Sequence, residues 1–165
     1  MRTTRSSSCR RASVGEKAQS DNVVELRARA LRLLARREHT RQELESKLSP
    51  HAGSSEELKG LLAGLKQKTQ LSEERFAEER ARQLSRNYGA ARIRQDLKAK
   101  GVSEELISRF SSSENEMQKA KEILERKYRT PAATREEKAK RMRFLQSRGF
   151  SSEIIFKLLS ARSDG

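Results

Sequence analysis

One cysteine, two histidines, two prolines and no tryptophan occur in a chain of 165 residues. A lone cysteine closes no internal disulfide, and one thiol with two imidazoles is too little for a Cys/His metal cluster. Five Phe and two Tyr, with 33% hydrophobic residues overall, argue against a single large globular core. No apolar run approaches the roughly 18–20 residues of a membrane helix, so no membrane association is expected. There is no P-loop, and the eight glycines are scattered or stand near helix ends. With so few prolines, long stretches are free to be helical. Charge is what the chain has in plenty: 37 Lys and Arg against 23 Asp and Glu, a formal +14. These features together imply a soluble, basic, all-helical protein built from small units with wide solvated faces.

A large positive charge speeds the capture of polyanions. Its placement is uneven. Between Arg80 and Lys100 stand Arg80, Arg82, Arg86, Arg92, Arg94, Lys98 and Lys100, with Asp96 the sole acid. Between Lys138 and Arg148 stand Lys138, Lys140, Arg141, Arg143 and Arg148 with no acid. A single such run reads as a solvated helix face; two runs at matching places in a repeat point to a binding surface. Residues 1–22 are rich in Ser, Arg and Thr and poor in large apolar side chains, so a disordered basic tail is expected there. An organelle transit sequence is the alternative, and a secretory signal is excluded by the missing apolar segment. Cys9 lies among Arg10 and Arg11, which favour its thiolate, but an incidental exposed thiol is the simpler reading.

The acids mark helix starts. Four Ser/Thr-x-x-Glu sequences, Thr40 to Glu43, Ser54 to Glu57, Ser113 to Glu116 and Thr134 to Glu137, have the form of capping boxes. Hydrophobic staples are expected of Leu71 with Phe76 around Ser72, Val102 with Ile107 around Ser103, and Phe150 with Ile155 around Ser151. Less marked starts fall near Val23 and Gly89. The reading is nine helices, at about 23–37, 40–48, 54–68, 72–87, 89–100, 103–111, 114–128, 134–148 and 151–161, and no strand.

A repeat organises them. Leu97, Gly101, Val102, Ser103, Leu106 and Ile107 recur as Leu145, Gly149, Phe150, Ser151, Ile154 and Ile155, at a constant offset of 48. An offset of 49 reaches back to Leu48 and Ser54, with Ala52 in the glycine position and Pro50 in the turn. Tyr88 and Tyr128 close the leading helices of the second and third units only 40 residues apart, which implies an eight-residue insertion near Thr130–Thr134 or in the next helix. Gly101 and Gly149 are expected in the left-handed conformation that stops a helix. The units are 23–68, 69–111 and 112–165, each a three-helix, helix-turn-helix-like repeat.

In a helix-turn-helix reader the last helix enters the major groove with Arg, Asn or Gln in its first turns. Here the third helices, Ser103–Ser111 and Ser151–Ala161, begin acidic and continue apolar, as core elements do. The second helices carry the cations: Arg94 and Lys98 one turn apart, Arg141 and Arg148 two turns apart with Phe144 nearby. Phe144 reads as a contact between units rather than a stacking platform. His39 and His51 stand apart from any nucleophile, and capping accounts for the carboxylates, so no catalytic residues, metal or cofactor are expected.

The order of these features resembles the RecX family of bacterial recombinase regulators. The likeness is carried by Ala30-Leu31-Arg32-Leu33-Leu34-Ala35-Arg36-Arg37-Glu38-His39-Thr40-Arg41-Gln42-Glu43-Leu44, the Tyr88-Gly89 joint before Ile93 and Leu97, and Lys100-Gly101-Val102. Lys140 through Phe150, then Ser151 and Ile154-Ile155, complete it, so that it covers about residues 23–161. The basic tail and the irregular turn of the first unit depart from the pattern. The resemblance implies three tandem three-helix units in an elongated, curved, cytoplasmic and monomeric protein. It further implies binding in the groove of the RecA filament on single-stranded DNA, with suppression of RecA ATPase, strand exchange and co-protease activity. DNA alone would be bound weakly and without sequence preference. Charge segregation, not the resemblance, assigns the contact surface to Arg86, Arg92, Arg94, Lys98, Lys140, Arg141, Arg143 and Arg148. The alternative is a helix-turn-helix repressor that acts on duplex DNA without RecA.

Overall fold

The computed structural model describes residues 10–111, 115–130 and 132–160. Among them are nine α-helices and no strand: α1 (Arg10–Leu34), α2 (Arg41–Leu48), α3 (Ser55–Gln67), α4 (Glu73–Ser85), α5 (Ala90–Ala99), α6 (Glu104–Phe110), α7 (Glu116–Lys127), α8 (Arg135–Ser147) and α9 (Ser152–Ser160). Eight begin and end within a few residues of the sequence expectation. The first starts at Arg10 rather than near Val23, so the expected tail is helical from Arg10 onward. Backbone propensity supplies a reason, since Ala12, Glu16, Lys17, Ala18 and Gln19 are strong helix formers. The rest of that tail, Cys9 included, lies outside the described residues.

The chain divides into two compact units, Met1–Glu73 and Glu74–Gly165. In the first, α1, α2 and α3 enclose Leu26, Ala30, Leu44, Leu48, Leu58, Leu62, Leu65 and Leu71. The second holds two bundles, each with its own core. Phe76, Ala77, Ala81, Ile93, Leu97, Val102 and Ile107 fill the bundle of α4–α6. Ala120, Ile123, Leu124, Leu145, Phe150, Ile155, Leu158 and Leu159 fill that of α7–α9. The i, i+3, i+4 spacing of Ala120, Ile123 and Leu124, repeated by Ile155, Leu158 and Leu159, is the apolar stripe of a helix buried on one side. Each fully buried Leu contributes about 1.5–3 kcal/mol of transfer free energy.

Helix ends follow the local chemistry. Thr40 Oγ1 accepts the Glu43 N–H at 3.1 Å, Ser54 Oγ that of Glu57 at 3.1 Å, and Thr134 Oγ1 that of Glu137 at 3.2 Å. Glu57 and Glu137 reach back one residue beyond the cap, to the N–H groups of Gly53 and Ala133. The fourth expected box falls on Ser113, which lies outside the described residues; α7 is preceded by Asn115 at φ 59°, and the Glu116 carboxylate accepts from Ala90 N–H. Val102 and Ile107 share one core, as do Phe150 and Ile155. Leu71 is buried in the core of the first unit and Phe76 in that of the α4–α6 bundle, so each serves its own bundle.

The repeated turn is the same motif twice. Gly101 has φ 72° and Gly149 φ 82°. The Gly101 N–H bonds to Lys98 O and the Val102 N–H to Leu97 O; Gly149 to Gln146 O and Phe150 to Leu145 O repeat the pattern. This is a Schellman stop, and only glycine takes its left-handed residue without strain. In the first unit a 3-10 turn, Ser49–His51, with Pro50 in it, replaces the motif. The eight extra residues of the last repeat are shared between a longer Tyr128–Thr134 loop and a longer α8.

Candidate functional site

On α5 the solitary acid is already engaged. Arg80 Nε and Nη2 donate to the two oxygens of Asp96 at 2.8 and 2.9 Å, clamping α4 to α5. The fork from Arg80 holds the Asp96 carboxyl below its ordinary range, against the opposing effect of burial. The neighbouring cations are left uncompensated: Arg86, Arg94 and Lys98 are exposed, with no ion pair among the described residues. Arg92 is exposed and donates to Gln95 Oε1 at 3.2 Å. At about 100° per residue, Arg94 and Lys98 lie on one side of α5 and Arg92 nearly opposite. The four do not form one strip.

The α8 group separates by role. Lys140 and Arg143, one turn apart, are exposed and unpaired among the described residues. Arg141 is 4% exposed; its Nη2 donates to Thr130 O at 2.7 Å and its guanidinium lies 4.8 Å from the Tyr128 ring centroid. It pins the long loop to α8, which corrects its expected place on the contact surface: a buried guanidinium reaches no partner. Arg148 is half-buried, 5.3 Å from the Tyr88 ring and 4.9 Å from that of Phe144, and its Nη1 donates to Asn87 O at 3.0 Å. Lys127 Nζ lies 4.2 Å from the Phe144 centroid, and Tyr128 meets Phe144 edge-on at 5.8 Å. Cations and rings thus alternate from Tyr88 through Arg148, Phe144, Lys127 and Tyr128 to Arg141, each contact worth about 0.5–1 kcal/mol where exposed. Phe144 belongs to the edge of the third core, with a cation over it from two residues.

Two loops close on each other at this joint. The N–H of Gly89 bonds to Arg148 O at 2.9 Å and that of Ala91 to Gly149 O at 3.3 Å. The N–H of Ala90 bonds to Glu116 Oε1 at 2.9 Å, and Glu116 is 6% exposed. The unsatisfied donors at the start of α5 thereby meet unsatisfied carbonyls at the end of α8 and a carboxylate from α7. A Cβ on Gly89 would fall 2.5 Å from Gly149 O, so two glycines are what let the backbones meet. Arg126 Nη2 bridges to Arg86 O at 2.9 Å and Asn87 Oδ1 at 3.0 Å. Asn87, Ile123, Arg126, Lys127, Phe144 and Arg148 line a cleft of about 110 Å³ at the seam. Sequence reasoning missed Asn87, Glu116, Arg126 and Lys127. The only available signal was the Tyr88 and Tyr128 spacing, which places an aromatic at the end of each leading helix.

The last helices of the bundles are packed for structure. In α6, Ile107 is fully buried, and Arg109 pairs with Glu74 at 2.7 Å. Glu104 and Glu105 occupy the first turn of α6 and Glu153 that of α9. Among the described residues no three His, Cys, Asp or Glu side chains gather where they could hold a metal, and no helix is long and apolar enough to cross a membrane.

Known proteins share this organisation. Residues 72–109 match the family model for the second three-helix domain of RecX, and residues 114–159 that for the third. The regulatory protein RecX of Ralstonia nicotianae is 38% identical over 138 residues, 82% of this chain and 87% of its own. That of Herbaspirillum seropedicae is 40% identical over 134 residues, covering 80% and 87%. The crystal structure of RecX from Lactobacillus salivarius superposes with a TM-score of 0.73 at 20% identity, covering 87% of this chain and 98% of that one. A further crystal structure of a regulatory protein RecX gives 0.74 at 23% identity, over 97% and 82%. With tandem three-helix bundles, the glycine-stopped turns and full-length relatives in agreement, the chain belongs to the RecX family of regulatory proteins.

Proposed function

We propose that this protein regulates homologous recombination by binding the RecA filament on single-stranded DNA and inhibiting RecA ATPase, strand exchange and co-protease activity. The observation that carries the reading is the set of cations left without carboxylate partners on successive bundles: Arg86, Arg94 and Lys98 in one, Lys140 and Arg143 in the next. Arg92 stands at the seam between them. Weak contacts spread over tandem bundles reinforce one another once the first has formed, because each later contact is intramolecular. A filament offers regularly repeated partners for such a surface. The acidic first turns of α6 and α9 speak against base reading in a duplex, since they would meet phosphates and carry no Arg, Asn or Gln donors to base edges.

The test is RecA ATPase turnover on single-stranded DNA with this protein added below one equivalent per RecA. Slowing that weakens when Lys98, Lys140 and Arg143 are replaced together by Gln supports the reading. No slowing at any ratio, with tight sequence-selective duplex binding in the absence of RecA, would establish the repressor alternative instead.

A further inference from the structure

We infer that the cleft between α7, α8 and the α4–α5 joint is an anion site that takes a backbone phosphate of single-stranded nucleic acid, with Lys127 as its central ligand. Three cations, Arg126, Lys127 and Arg148, line a space of about 110 Å³, and none has a carboxylate partner among the described residues. Each is held in place by something other than an acid. Both Nη2 hydrogens of Arg126 go to Arg86 O and Asn87 Oδ1, and one Nη1 hydrogen of Arg148 goes to Asn87 O. A guanidinium carries five N–H donors, so three on Arg126 and four on Arg148 are left for a ligand. The Lys127 ammonium makes no hydrogen bond among the described residues; the Phe144 ring holds its Nζ at 4.2 Å. A pre-positioned ammonium with three open donors between two partly open guanidiniums suits an oxyanion.

The surroundings favour a polyanion over an isolated carboxylate. Lys140 is four residues before Phe144 on α8, hence on the same side and about 6 Å up the helix. Exposed Arg86 precedes Asn87 in the chain, and its carbonyl accepts from Arg126 beside the cleft. A row of cations on both sides of a single-phosphate cleft matches a ligand whose charge repeats along a chain. Bases are not stacked here, since Phe144 already carries Lys127 and Arg148 over its ring. The contact would therefore be indifferent to sequence. The identity of the strand rests on the filament reading; the anion site itself rests on the cleft.

The experiment measures fluorescence anisotropy of labelled oligothymidylate with the full chain, without RecA, across a salt series. Lys127→Gln is expected to weaken binding at low salt and to lower the slope of log K against log salt by about 0.7, the value of one phosphate contact on a single strand. Lys127→Arg is expected to restore the slope, which a general loss of fold would not allow. An unchanged slope and affinity in Lys127→Gln, or no oligothymidylate binding by the unsubstituted chain, overturns the site. Direct pyrophosphate binding that Lys127→Gln abolishes, with oligonucleotide binding unchanged by the substitution, overturns the strand and leaves a free-phosphate pocket. Persistence of RecA inhibition in Lys127→Gln alongside an unchanged slope would sink this site and spare the filament reading. Absence of inhibition by the unsubstituted chain, with the slope change in Lys127→Gln intact, sinks the filament reading and leaves the anion site standing.

Discussion

Replacing Gly149 by Ala tests the joint on which the second compact unit depends. Gly149 has φ 82°, and a Cβ there would lie 2.6 Å from Arg92 N, 2.7 Å from Arg92 Cβ and 3.1 Å from Arg92 Cα. Two costs combine. A left-handed alanine costs about 1–2 kcal/mol. Overpacking against a backbone that cannot give way costs about 1–3 kcal/mol more. Arg92 cannot give way, because its N–H is bonded to Gly89 O in the first turn of α5. A total of about 2–5 kcal/mol is expected. Both tyrosines, Tyr88 and Tyr128, lie in the Glu74–Gly165 unit, so tyrosine fluorescence during urea unfolding reports on that unit alone. With a urea slope near 1–2 kcal/mol/M, the midpoint should fall by at least about 1 M. Gly89→Ala separates the two costs, since Gly89 has φ −80° and suffers only the close approach to Gly149 and Glu116. A Gly149→Ala midpoint within about 0.2 M of the unsubstituted chain would refute the welded joint.

Glu116→Ala leaves the Ala90 N–H without its acceptor and should cost about 1–3 kcal/mol in the same assay, while Glu116→Gln keeps an acceptor oxygen and should cost clearly less. Equal losses would show that packing, not the hydrogen bond, is at stake. Gly64 has open space around it in α3, so Gly64→Ala should raise the thermal midpoint of the first unit, by about 0.5–1 kcal/mol in stability; circular dichroism would detect the opposite sign. His39 is 2% exposed with Nδ1 3.0 Å from Glu43 Oε2. Burial, then the charge of Arg37, lowers its pKa from 6.5, against the pull of Glu43. The unfolded chain therefore binds the extra proton first. This contribution is whole above about pH 6.5 and is lost as the pH falls toward the folded value. His39→Gln should flatten the decline below neutrality in the urea midpoint followed by circular dichroism, which includes the first unit, and parallel profiles would exclude His39 as its source.

Where the chain stops and starts its helices was legible because the deciding interactions span four or five residues. Thr40 with Glu43, Ser54 with Glu57 and Thr134 with Glu137 need no knowledge of the rest of the fold. Gly101 and Gly149 likewise announce a left-handed stop through what they lack. Glu116 shows the limit. Its place in a Ser-x-x-Glu sequence has the same local form, yet its carboxylate accepts from Ala90, 26 residues away, because the start of α5 offers a part-buried donor with no partner in its own helix. A local hydrogen bond to water-exposed backbone is cheaply replaced by solvent, whereas a buried donor without a partner is costly. The long-range partner wins, and nothing within five residues of Glu116 announces it.

The same competition explains why the cation runs were only half informative. A charge census weighs Arg141, Arg143 and Arg148 equally, but each guanidinium goes where its neighbours best replace its hydration. Arg141 finds the Tyr128 ring and Thr130 O and becomes buried; Arg148 finds two rings and Asn87 O and becomes the hub of the joint. Arg143 has neither and keeps its water. The rings that decide this, Tyr88, Tyr128 and Phe144, are three of the chain's few aromatics, and two of them end the leading helices of tandem repeats. An arginine that reaches such a ring from the next helix is structural, and one with no ring or carbonyl in reach is free for a partner. By that rule Arg141 leaves the proposed contact surface and Arg143 stays on it.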